Sequence, residues 1–300
     1  MFCKSAYVAI FCCAFGITTA WGTIPDSGKS ITPEFKGSLN FRKGQIQLPS
    51  GVAKLRVPEN LRYLGPEDTE RVLVNAWGNP AGNRTLGMLV PVGLNPGAKD
   101  AWGIVIAYRE DGHVADKDAD SIDYDHLLKE MREGMVEVNK ERSKAGNERI
   151  DLIGWAVKPR YDKTSHTLSW AKELSFGGSV DHILNYNISI LGRNGVLSLN
   201  AVAGMGQVAE VANNIPALLA AAEFNPGHRY EDFNTTTDRV ASYGIAGLVS
   251  GGLAAKNGFF SRLVVIPSIG KIVLIVLLSA LGGFLVHFFK RKKSANLPSS

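Results

Sequence analysis

Beyond Cys13 the chain has no cysteine, and beyond Asp238 it has no acidic residue. The first absence leaves the body of the protein without a thiol nucleophile. The second leaves a C-terminal stretch whose only formal side-chain charges are positive. Also missing are G-x-S-x-G, H-E-x-x-H and a Walker loop, the patterns that announce a hydrolase serine, a zinc protease and a phosphate cradle. There is no internal repeat, which argues against a solenoid or propeller. The net charge of +5 belongs to the ends: Lys4, Lys256, Arg262, Lys271, Lys290, Arg291, Lys292 and Lys293 account for eight basic residues. Without them 25 basic residues face 28 acidic ones, so the body carries −3. A nucleic-acid binder needs a cationic excess on its domain, and this balance excludes that class.

The ends themselves are oil-like. In "MFCKSAYVAIFCCAFGITTA" an early lysine precedes an apolar run from Ala6 to Ile17, and Thr18 and Ala20 are the small residues that precede a cut. This three-part layout predicts a signal peptide over residues 1–20; an uncleaved N-terminal anchor is the alternative. Near the other end, Ile272 to Phe289 is an 18-residue run without formal charge. As a helix it spans ~27 Å, close to the ~30 Å hydrocarbon thickness. The cluster Lys290 to Lys293 behind it stays cytoplasmic by charge bias, which puts the body outside the cytoplasm. The expected organisation is a flexible leader over 21–44, an extracytoplasmic domain over 45–239 and a juxtamembrane Gly-rich apolar segment over 240–262. A single transmembrane helix within 263–289 and a basic cytoplasmic tail over 290–300 complete it. Within the juxtamembrane segment, Ala241 to Phe260 is expected to lie on or partly in the membrane with Tyr243 at the headgroups. Its Gly247 and Gly251 form a G-x-x-x-G spacing through which two copies can approach.

The middle reads as α+β. Two short apolar runs flank Pro49-Ser50-Gly51 as a hairpin does, and Pro66, Glu67 and Asp68 open a helix carrying Val72, Leu73, Ala76 and Trp77 on one face. "TLGMLV" and "WGIVIAY" are strand-like. A long helix is predicted from Asp123 to Ala145, with Tyr124, Leu127, Leu128, Met131, Met135 and Val138 as its apolar stripe and Gly146 as its stop. Further strands follow from Ile150, and Asn194-Gly195 suggests a two-residue type I′ turn pairing Ile190 with Leu199. Alternation then places Tyr186, Ile188, Ile190, Leu197 and Leu199 on a packed face, and Asn185, Asn187, Ser189, Ser198 and Asn200 on a face that stays polar. A second helix, Gly206 to Glu223, is expected to break or restart at Pro216, with Val208, Val211, Ile215, Leu218 and Leu219 as its stripe. The fold class is thus an antiparallel β meander packed with a few helices, followed by the transmembrane helix.

Two stretches invite chemistry. Asp116, Asp118 and Asp120 have the spacing that opens a calcium loop, but Ser121 stands where glycine is needed and Leu127 where a bidentate glutamate is needed, so no metal is expected. The turn "FNPGHRYEDF" gathers His228, Arg229, Tyr230 and Asp232, and Asp181 and His182 precede the asparagine-bearing strand. His228 and His182 are the candidate general bases; Asn185, Asn187, Asn200, Arg229, Tyr230 and Asp232 are the candidate ligand contacts. The alternative for the turn is purely structural, with Phe224 and Phe233 anchoring the chain's exit. No cofactor is expected.

Several blocks, among them "RVLVNAWGNP", "GWAVKPRYDKTSHTLSWAKEL", "LNYNISILGRNGVLSLNAVAGM" and "EFNPGHRYEDF", resemble the bacterial membrane-anchored proteins grouped as domain of unknown function 2167 over most of residues 45–290. The resemblance implies a Gram-negative inner-membrane protein with a periplasmic domain, and implies no catalytic residue. The reading at this point is a non-enzymatic envelope domain that binds a partner or ligand near the membrane, with self-association through Gly247 and Gly251 as one form of partner. The alternative is a periplasmic hydrolase using His228 or His182 as base.

Overall fold

The computed structural model describes residues 38–251 apart from Pro80, Lys99 and Ala145. The signal-like run, residues 21–37 of the leader, the segment from Gly252 onward, the uncharged run Ile272 to Phe289 and the basic tail lie outside the described residues. Among the described residues no helix is long and apolar enough to cross a membrane.

The elements follow in chain order. Strands β1 (Phe41–Arg42), β2 (Gln45–Gln47), β3 (Ala53–Arg56) and β4 (Leu61–Leu64) lead into α1 (Pro66–Arg71), which continues as a π turn over Val72–Ala76. Strands β5 (Gly87–Pro91) and β6 (Gly103–Arg109) precede α2 (Tyr124–Lys144). Then come β7 (Ile150–Asp162), β8 (Thr167–Phe176), β9 (Ile183–Leu191) and β10 (Val196–Gly204). The described chain closes with α3 (Val208–Ala221), β11 (Ala222–Phe224) and α4 (Ile245–Ser250). Eight strands form one sheet in the order β1-β4-β5-β6-β10-β9-β8-β7, and β11-β3-β2 form a second, smaller one; all their pairings are antiparallel. The predicted α+β meander and the Pro49-Ser50-Gly51 hairpin are both present. Phe41 and Arg42, expected in the loose leader, instead pair with Leu64 and Tyr63 as an edge strand.

Alternation along each strand sends side chains to two separate cores, so both sheet faces are covered. On one face Leu89, Ile104, Ile106, Tyr186, Ile188 and Leu199 pack beneath α3 and the small sheet. On the other, Met88, Val90, Val105, Leu168, Trp170 and Val202 meet the π turn, α2 and α4. The long helix carries the predicted buried stripe Leu127, Met131, Met135 and Val138. Asp123 caps it by accepting hydrogen bonds from the Asp125 and His126 amides, and Gly146 ends it at a φ of +72°.

Three local expectations are corrected. The β9–β10 hairpin pairs Leu191 with Val196 and Ile190 with Leu197, two residues away from the type I′ register. Neither Asn194 nor Gly195 has the positive φ that a type I′ turn requires. The loop therefore runs from Gly192 to Gly195, with the Gly192 amide donating to the Gly195 carbonyl at 2.8 Å. Because the shift is even, the assignment of residues to faces is unchanged. Second, α3 runs unbroken through Pro216, and its Leu219 is 39% exposed rather than part of the buried stripe. Third, the face of Asn185, Asn187, Ser189, Ser198 and Asn200 is not left to solvent: all five are buried.

The described part of the next segment, Val240 to Gly251, is tied into the domain rather than lying on a surface, and the rest of it lies outside the described residues. His113 and Val240 form a parallel bridge, with the His113 amide donating to Arg239 O and the Ala241 amide donating to His113 O, each at 2.8 Å. Asp118 accepts hydrogen bonds from the first amides of α4, Ile245 and Ala246, both at 3.0 Å. Tyr243, expected at lipid headgroups, donates its hydroxyl to Asp111 inside the protein. Ile245, Leu248 and Val249 are buried. The two glycines of the G-x-x-x-G spacing have work within the chain: a Cβ on Gly247 would sit 2.7 Å from Tyr243 Cβ, and Gly251 terminates α4 at a φ of +62°.

At the outer edge of the large sheet, β7 is shielded by α2. Asn139 imitates a strand, its Nδ2 donating to Ile150 O at 2.7 Å and its Oδ1 accepting from Ile150 N at 2.9 Å, while Arg132 Nε donates to Leu152 O at 3.0 Å. Asn139→Ala orphans both backbone groups. It should lower stability by about 1–3 kcal/mol, seen as a lower urea midpoint at unchanged m.

Candidate functional site

The candidate residues do not converge. His182 lies just before β9, and His228 lies in the turn beside Gly192, just after it, with the Arg193 amide donating to its carbonyl at 2.9 Å. The strand between them separates the two histidines by about 30 Å, so they cannot serve one reaction centre. His182 Nδ1 lies 2.5 Å from Glu173 Oε1, both side chains 28% exposed. The His228 imidazole makes no hydrogen bond among the described residues. A groove of about 730 Å³ runs between α2 and β7 past Met135, Val136, Leu152, Lys140 and Arg149; neither histidine lines it.

The three asparagines do come together, as a closed ring. Asn185 Nδ2 donates to Asn200 Oδ1 at 3.0 Å, Asn200 Nδ2 to Asn187 Oδ1 at 2.5 Å, and Asn187 Nδ2 to Asn185 Oδ1 at 2.9 Å. Register creates this: Asn187 sits opposite Asn200, and both lie next to the Asn185 row. The ring lets a polar strand face be buried, since each amide oxygen finds a donor. Beside it, across the β8–β9 pairing, Trp170 faces Asn187 and Lys172 faces Asn185. Lys172 Nζ donates to Val249 O of α4 at 3.0 Å, and desolvation lowers its pKa to about 8.

The turn residues belong to a different cluster. Arg229 N donates to Asp232 Oδ2 at 2.9 Å, and the Arg229 guanidinium reaches Glu223 at 3.6 Å, so the polar groups of the turn close on one another. Tyr230 is inserted between rings, with His166 stacked at 3.9 Å and His113 at 4.3 Å; Phe233 stacks on His113 at 3.8 Å. Its hydroxyl donates to Val114 O at 3.1 Å, and burial raises its pKa to about 12. Tyr161 donates to Asp116 at 2.9 Å and lies 3.2 Å from His166 Nδ1; burial and the Asp116 carboxylate push its pKa far up. Asp238 accepts two bonds from the Arg193 guanidinium, at 2.7 and 3.0 Å, which hold its pKa well below the carboxylate range. Asp116, Asp118 and Asp120 thus each have a protein partner: Tyr161, the start of α4, and Lys163. Sequence reasoning missed His113, His166 and Tyr161. The stack forms between residues 64 to 120 positions apart, a separation that no local pattern encodes.

Residues 40–282 match a family model described as "Protein of unknown function (DUF2167)". No curated protein matches the sequence. Among solved structures, the PsbP-like protein CyanoP of Synechocystis sp. PCC 6803 is similar at 7% identity and a TM-score of 0.37, over 63% of this chain and 95% of that one. LpqN, a protein involved in cell envelope biogenesis of Mycobacterium tuberculosis, is similar at 15% identity and a TM-score of 0.31, over 58% and 83%. The Saccharomyces cerevisiae Ran-binding protein Mog1p is similar at 7% identity and a TM-score of 0.33, over 62% and 96%. Likenesses this loose carry no property across.

The ring stack gives the fold a pH dependence. His113 is buried, its Nδ1 has no hydrogen-bond partner, and desolvation lowers its pKa; a hydrogen bond to the Arg193 backbone, Asp116 and Asp238 oppose that shift and His166 adds to it. The unfolded chain therefore takes up this proton first, near pH ~6.5. The stability tied to neutral His113 is fully present above that pH and is lost as pH falls through the window below it. The thermal midpoint should drop between about pH 7 and pH 5, and the drop should be smaller in His113→Phe, measured by near-UV circular dichroism.

Proposed function

We propose, from the premise that the chain belongs to the DUF2167 family, that it is a membrane-anchored envelope protein whose extracytoplasmic domain binds a partner or ligand without catalysing a reaction. The observation that carries this reading is the order of charge and oil at the C-terminus. Ile272 to Phe289 carries no formal charge, and Lys290 to Lys293 follow at once. Twenty residues separate the end of the described domain at Gly251 from that run, so the domain is tethered close to the bilayer. The non-enzymatic part rests on the placement of the candidate bases at opposite ends of β9. The stack around Tyr230 further uses one of the expected contacts to hold the fold together. A periplasmic hydrolase is the second reading, favoured by the contact between His182 and Glu173.

Orientation is tested with an alkaline phosphatase fused after Ser300, together with protease added to intact spheroplasts. An inactive fusion and a digested domain are expected. An active fusion or a protected domain contradicts the reading. Affinity capture of the full chain in mild detergent then looks for the envelope partner, and hydrolase activity that vanishes in His182→Ala would replace binding with catalysis.

A further inference from the structure

We infer that the helix-covered centre of the large sheet, where Lys172 and Trp170 adjoin the ring of Asn185, Asn187 and Asn200, is a binding site for the oxyanion group of a ligand. The argument is a count of donors against acceptors. Every amide oxygen of the ring already accepts a hydrogen bond. An asparagine amide has two N–H groups, and Asn185 and Asn200 each use one within the ring, which leaves one each. Lys172 uses one of its three N–H groups on Val249 O. Trp170 is 4% exposed and its Nε1 is buried with no hydrogen-bond partner. The surplus is therefore all donors, and it includes a cation that no carboxylate approaches within ion-pair distance among the described residues.

A buried donor without an acceptor costs about 1–3 kcal/mol, and a desolvated cation is normally paired. One ligand type answers both deficits: a group rich in acceptor oxygens and negatively charged. The register makes the patch contiguous, since Trp170 faces Asn187, Lys172 faces Asn185, and Asn187 faces Asn200. Lys172 Nζ lies over the Trp170 ring, 6.0 Å from its centre, a cation–π contact that keeps the ammonium beside the indole. Lys172 is half-buried at the margin of the patch, whereas its asparagine neighbours are buried. The position beneath Val249 places the site at the end of α4, where the described chain stops short of the apolar C-terminal run. An oxyanion here has two sources, a soluble molecule or a lipid headgroup, and both present the same chemistry to Lys172.

The inference deepens the binding reading, yet its test does not depend on membrane topology. The full chain in mild detergent is titrated calorimetrically with inorganic phosphate, with acetate and with a short-chain phosphatidate, against sodium chloride at matched ionic strength. Saturable one-to-one binding of at least one oxyanion is expected, weakened tenfold or more in Lys172→Met and several-fold in Trp170→Phe, which keeps the ring but removes the donor. Phosphate or acetate binding identifies a soluble ligand; binding of phosphatidate alone identifies a headgroup. Flat titrations with all three, or equal affinity in wild type and both variants, overturn the proposal and leave Lys172 as a cap on the last carbonyls of α4. Should Lys172→Met fail to fold, Trp170→Phe decides the matter alone.

Discussion

In an antiparallel sheet each side chain is committed to one face, so whatever β9 and β10 direct away from α3 has to be accommodated on the other side. Here that obligation falls on three asparagines and two serines, and the protein covers them with helices instead of leaving them in water. The cyclic arrangement of the asparagine amides makes such a cover affordable. Each carbonyl is matched by a neighbour's N–H, so the layer buries polarity without an orphaned acceptor. Around this polar centre the apolar clusters contributed by the π turn, α2 and α4 can close.

The C-terminal part of the domain is held by directed polar contacts as much as by packing. Asp118 accepts from the first amides of α4, Lys172 donates to one of its last carbonyls, and the bridge at His113 aligns the chain that leads into it. The ring stack of Phe233, His113, Tyr230 and His166 joins this region to the turn after β11 and to the β7–β8 hairpin. A stretch that composition alone assigns to the membrane surface is in this way tied to four separate parts of the fold.

Much of the architecture was legible in the residues, and the failures have common causes. The long helix, its stripe and its Gly146 stop follow from local periodicity and capping, which depend only on near neighbours. The hairpin faces were right although the turn was wrong, because an even register shift preserves alternation. Pro216 did not interrupt α3: packing of Val211, Ile215 and Leu218 on the sheet outweighs one lost helical bond. What stayed hidden was long-range. Tyr230 was singled out for its neighbours in sequence, but its actual partners are His113 and His166. The asparagines share one strand face as alternation predicts, while their burial depends on helices that no strand pattern announces.

The shielding of β7 has a consequence for how copies of the domain meet one another. A naked sheet border invites a second copy to add its own backbone, and repetition of that step builds a ribbon. With Asn139 occupying both backbone groups of Ile150 and Arg132 the Leu152 carbonyl, that part of the border has little backbone valence left to offer. Molecules can therefore be concentrated without polymerising readily through it, and any assembly they do form there must be written largely in side chains.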